Sequence, residues 1–139
     1  MPTDEELYNE LSYYTLSHAD PAFIHQLLVD AYTAQHAGAS TKPIAVTFAL
    51  VGLYLAVEKN FTGKQVQRIH MQLARSRRIW PSFSIPDERG AMTVADVASV
   101  PPGGDRDAAI HRWCASVWEA WRGSREPIAT LLRSELDIQ

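Results

Sequence analysis

No disulfide can close within this chain, because it holds one cysteine, Cys114, among 139 residues. That fits a reducing compartment, and a cytoplasmic location is expected. Positive charge is also scarce: 13 Lys and Arg stand against 16 Asp and Glu, a net charge of −3. A general nucleic-acid binder gathers many phosphate-neutralising cations on one face, so no nucleic-acid partner is expected. The longest apolar run, Ile44 to Val57, is 14 residues. A bilayer crossing takes roughly 17 to 25, so the run predicts a buried core helix and no membrane partner. The acidic segment Met1 to Glu10 has neither the basic nor the apolar part of a secretory signal. HxxxH, HExxH, CxxC, GxSxG and a phosphate-cradling glycine loop are all missing, so no reaction can be assigned from motifs.

What remains is an ordinary globular composition, 46% apolar and 21% charged, without repeats or low-complexity stretches. The periodicity predicts an all-α fold: one domain over 1–139, a compact bundle of five or six helices. The first helix is expected from Thr3 or Asp4 to Ser17, with Glu5 and Glu6 at the positive end of its dipole. Asp20-Pro21 should cap and open a second helix running to His36. The third spans Thr41–Pro43 to Lys59. The fourth runs from Thr62 to Arg78. A loop rich in proline and aromatics covers Ile79 to Met92, and Thr93 to Ser99 is a short helical piece. Asp105 should cap a helix to Arg122, and Ser124 a last one to Leu136.

Helix faces carry the functional expectations. On the third helix Ala45, Ala49, Gly52 and Ala56 form a stripe of small side chains that lets a neighbouring backbone come close. Thr47, Tyr54 and Glu58 form a second stripe. Glu58 must reach solvent, hold a partner or be protonated, since an unpaired buried carboxylate is costly. On the second helix Gln35 falls inside the apolar arc, so its amide needs a buried partner. His25, Val29, Tyr32 and His36 line up beside that arc. His25 and His36 are three turns apart, about 16 Å, too far for one metal ion. Asp30 projects about 140° from His25 and forms no immediate dyad with it.

Folding the helices as antiparallel hairpins sets His25 level with Tyr54, and His70 level with Val51, with Glu58 about one turn away. A polar pocket lined by His25, Tyr54, Glu58 and His70 is therefore expected beside helices two, three and four. It would bind a small molecule or a divalent metal such as zinc, with His25 and His70 as metal ligands and Glu58 or Asp30 completing the set. Acid–base chemistry between His25 and Tyr54 or Glu58 is a second reading of the same residues. Lys64, Arg68 and Arg75, followed by Arg77, Arg78 and Trp80, make a basic cluster that a solvated face explains better than a phosphate grip. Trp113, Trp118 and Trp121 share a helix with Ile110, Cys114 and Val117. Such a stripe is mostly core, with a homodimer or other protein interface as the competing expectation.

The string Asp20-Pro21-Ala22-Phe23-Ile24-His25-Gln26, followed by Val29-Asp30-Ala31-Tyr32 and Gln35-His36, resembles an uncharacterised family of small bacterial all-helical proteins. Phe61-Thr62-Gly63, Trp80-Pro81, Thr93-Val94-Ala95-Asp96-Val97 and Ser116-Val117-Trp118-Glu119-Ala120-Trp121 are similar to other recurrent strings of that family. The resemblance implies that His25, Asp30, Tyr32, Gln35 and His36 form its helix-two signature, and these join the candidate ligand-binding residues. It carries no activity. Members with a short N-terminal cysteine pair would have thiolates for a metal, which this chain lacks.

Overall fold

The computed structural model describes residues 1–17, 19–76 and 79–139, and within them the fold is all helical with no strand. Its α-helices are α1 (Asp4–Leu16), α2 (His25–Gln35), α3 (Pro43–Glu58), α4 (Gly63–Ser76), α5 (Val94–Ala98), α6 (Gly104–Ala120) and α7 (Arg125–Leu136), with a 3-10 turn, Arg122–Ser124, between the last two. Seven helices thus replace the expected five or six. The short α5 is a helix in its own right, closed by a reciprocal Thr93/Asp96 cap, and the turn keeps α6 and α7 apart. The expected end of helix four at Arg78, and Arg77 and Arg78 of the basic cluster, lie outside the described residues.

Local chemistry explains most helix ends. Thr3 Oγ1 accepts the Glu6 N–H at 3.1 Å while Glu6 Oε1 accepts the Thr3 N–H at 3.2 Å, and Asp4, Glu5 and Glu6 complement the dipole of α1. Thr62 and Gln65 make the same exchange at the start of α4. Pro43 opens α3.

Two starts differ from expectation. Asp20-Pro21 does not open α2 directly. The Asp20 carboxylate instead accepts the N–H groups of Ala22 at 3.1 Å and Ile24 at 2.7 Å, and Phe23 turns left-handed at φ 55°, so helical geometry begins only at His25. The cause is tertiary: the Lys64 N–H donates to the Ala22 carbonyl at 2.8 Å, and a Cβ at Gly63 would run into the Phe23 carbonyl oxygen. Gly103 at φ 128°, rather than Asp105, is the cap residue of α6, and Asp105 sits in its first turn.

α3 is the axle of the bundle, buried on nearly every side, with α2, α4, α6 and α7 packed around it. The small-residue stripe does what its shape predicts: Gly52 lies directly under Asp30 of α2, so close that a Cβ would overlap its carboxyl group. Trp113 and Trp118 of α6, and Trp121 at its C-terminal cap, are 0%, 5% and 1% exposed, so this stripe is core. Among the described residues no helix is long and apolar enough to cross a membrane.

Candidate functional site

α2 turns Gln26, Val29, Asp30 and Thr33 towards α3, where Ala45, Phe48 and Ala49 face them, and α4 closes the end with His70. These eight residues line a cavity of about 240 Å³. Its walls are mainly apolar, and its polar groups are Asp30, His70, Gln26 and Thr33.

Asp30 is the unusual member. It is 3% exposed, Gln26 Nε2 donates to its Oδ1 at 3.1 Å, and its Oδ2 has no hydrogen-bond partner among the described residues. His70 Nε2 stands 3.9 Å from that oxygen, a neighbour at a distance too long for a hydrogen bond. Instead Nε2 bonds the Phe48 carbonyl at 2.8 Å, and the ring stacks on Phe48 with centroids 4.9 Å apart. A carbonyl only accepts, so Nε2 carries the proton, which leaves Nδ1 as the acceptor of the neutral ring.

Burial pushes the Asp30 carboxyl well above the usual carboxylate range, against the Gln26 hydrogen bond. The same cause pulls His70 down to about 4, against its bond to the Phe48 carbonyl. Both shifts favour the uncharged forms, so burial works against an ion pair between the two side chains. Burial likewise raises the Cys114 thiol on α6.

These shifts have opposite signs in stability. A carboxyl whose folded pKa is raised ionises first in the unfolded chain, so its contribution falls as pH rises from the unfolded value near 4 towards the folded one. A histidine whose folded pKa is lowered loses stability as pH falls from its unfolded value of about 6.5 towards its folded value of about 4. Comparing the wild type with Asp30→Asn isolates the first effect. The variant should gain on the wild type by up to about 1.4 kcal/mol per pH unit above pH 4, read from urea midpoints between pH 4 and 8. A constant difference across that range would mean that Asp30 ionises freely in the fold.

The other expected residues do not join this site. His25 turns towards α1, where Thr15 Oγ1 lies 2.9 Å from its Nδ1. Because the Thr15 hydroxyl donates to the Ser12 carbonyl at 3.1 Å, Nδ1 is the donor of that pair. Tyr54 is buried against Trp118, with the Arg125 guanidinium over its ring. Glu58 has found its partners: Trp118 Nε1 donates at 2.7 Å, and Arg125 Nε and Nη2 each reach Oε1 at 2.8 Å. Tyr32 stacks between Tyr8 and His36, centroids 4.0 and 4.1 Å apart, and His36 Nε2 meets Asp4 at 3.1 Å. Gln35 is a structural knot: it accepts from Trp113 Nε1 at 3.0 Å and donates to the carbonyls of Arg89 and Met92.

The expected convergence of His25, Tyr54, Glu58 and His70 on one pocket is therefore replaced by Asp30 and His70 across Gly52. His25 and His70 are each committed to a different neighbouring helix. Among the described residues no group of three His, Cys, Asp or Glu side chains could hold a metal ion, so the zinc set built on His25 and His70 is not assembled. His111 and Cys114, one turn apart on α6, do not pair either, since Cys114 is buried and its thiol points at the Leu27 carbonyl.

On sequence grounds Asp30 completes the metal set and belongs to the helix-two signature, whereas Gln26 has no place in the site. The available signal was an acid in register with the apolar arc of α2, opposite the small stripe of α3. No curated protein and no solved structure matches the chain. The family match begins at the first residue of α1 and runs through α6 to Arg122: the chain belongs to the family of unknown function DUF5946, whose model matches residues 4–122.

Proposed function

We propose that this chain binds a small polar molecule in the cavity between α2, α3 and α4, with Asp30 and His70 as its hydrogen-bonding anchors. The observation that supports the reading is a buried carboxyl group on a residue that lines the cavity, whose Oδ2, seated against Gly52, has no hydrogen-bond partner among the described residues. Leaving such a group unsatisfied costs about 1–3 kcal/mol, and an apolar side chain would avoid that cost. Strongly perturbed acids beside a perturbed imidazole in a cleft are characteristic of binding and reacting sites. The apolar walls of Val29, Ala45, Phe48 and Ala49 would take the ligand's body, and the acid and imidazole its polar end. A cytoplasmic setting belongs to this reading and agrees with the single buried thiol.

The test follows the His70 imidazole by NMR while small amides, alkylamines, imidazole and zinc chloride are titrated in turn. At least one titrant should shift the His70 ring signals saturably, and the shift should vanish in Asp30→Asn. Silence from every titrant, or an unchanged response in the variant, would refute the reading.

A further inference from the structure

A second cavity of about 300 Å³ shares no lining residue with the one bordered by Asp30 and His70. Its walls come from the α1–α2 connection (Asp20, Ala22), the α3–α4 connection (Asn60, Phe61, Thr62) and the first turns of α6 (Asp107, His111). Ile24, Leu27 and Ala56 give it an apolar floor, and a shallower extension past Asn60 and His111 reaches Cys114.

Its fixed charge is one-sided: two carboxylates stand beside the uncharged polar side chains of Asn60 and Thr62 and the His111 ring. Several backbone donors at or beside the rim are already used: Ala22 and Ile24 N–H on Asp20, Lys64 N–H on the Ala22 carbonyl, Phe61 N–H on the Leu55 carbonyl, and Thr62 and Gln65 N–H on each other's side chains. Among the described residues no lysine or arginine lines the space. The carboxylates keep acceptor capacity. Asp107 uses Oδ1 for the Tyr14 hydroxyl at 2.8 Å, and each Asp20 oxygen takes a single N–H. The two connections are tied to each other by the Lys64–Ala22 bond and by the close seating of Gly63 on the Phe23 carbonyl.

From acceptors without cations above an apolar floor, we propose that this cavity binds a small organic cation, a primary ammonium on a short aryl or alkyl tail. The ammonium donates to the Asp20 and Asp107 carboxylates, and the tail lies on Ile24, Leu27, Ala56 and Phe61. Acidic rims over an apolar base suit such a guest because the charge stays partly solvated while the tail leaves water.

The test titrates the protein with phenethylammonium chloride, with its neutral analogue 2-phenylethanol and with phenylacetate, following the His111 ring signals. Saturable shifts are expected with the ammonium, with binding at least about ten-fold weaker for the alcohol and none for the anion. Asp107→Asn should weaken the ammonium about ten-fold or more. His111→Lys, at an exposed position that leaves the core untouched, should abolish its binding by like-charge repulsion. Equal binding of the alcohol, binding of phenylacetate, or full binding in both variants would overturn the assignment. The His70 signals report separately on the first cavity, so either site can fail without the other.

Discussion

Gly52→Ala should destabilise the protein by about 3 kcal/mol, at the upper end for one added methyl in a filled core. Elsewhere in a helix interior the same change is favourable by about 1 kcal/mol. The reversal arises because the new methyl would occupy the space of the buried Asp30 carboxyl group, which packs directly on the α3 backbone. Val66, the other close neighbour at 3.2 Å, has only to yield a few tenths of an ångström. Shortening Asp30 should therefore rescue the change: Gly52→Ala in an Asp30→Ala background should cost nothing measurable or add stability. Urea melts of the four proteins in this cycle give the coupling. Equal costs in both backgrounds would show that the contact of Asp30 with the α3 backbone is not what demands glycine.

Gln35→Leu should cost about as much, roughly 3 kcal/mol, for a different reason. The substitution is nearly isosteric, so packing is preserved while hydrogen bonding is lost. It strands the Trp113 indole N–H in a fully buried position and releases the Arg89 and Met92 carbonyls. Those carbonyls anchor the irregular segment between α4 and α5, which is also tied by Arg89 Nη1 to the Gln35 carbonyl at 2.9 Å and by the Met92 N–H to Ser116 Oγ at 3.1 Å. The variant should therefore show faster backbone hydrogen exchange across residues 86–92 than across α6. A uniform loss of protection would argue that Gln35 holds the core alone and not the loop.

Elements with strong local signals were legible in the chain itself. The Thr3/Glu6 pair, Pro43, and the long apolar run of α3 each specify their structure through near neighbours. Gln35 was legible as well, because an amide inside an apolar arc has few ways to satisfy its hydrogen-bonding groups. The onset of α2 was not. Phe23 turns left-handed because of Lys64 and Gly63, some forty residues further on, and no local propensity records that contact. The site failed for a geometric reason. Levelling helices by counting from their loops fixes height along the axis but leaves rotation about it free. His25 shares a layer with Tyr54 yet faces α1, whereas Asp30, about 140° round the same helix, faces Gly52 and His70. Tyr54 and Glu58 do share a cluster, but their partners come from α6 and α7, helices that the hairpin construction did not include.

The indole N–H groups of α6 have a consequence for watching this protein fold. Trp113, Trp118 and Trp121 donate to Gln35, Glu58 and the Ala34 carbonyl, partners 78, 60 and 87 positions earlier in the chain. Each fluorophore is thus wired to the first half of the polypeptide. With Trp80, the fourth tryptophan, replaced by Phe, the emission registers the meeting of the two halves, while far-ultraviolet dichroism registers helix formation. Comparing the two signals in a stopped-flow trace would separate local winding from long-range closure without any added label.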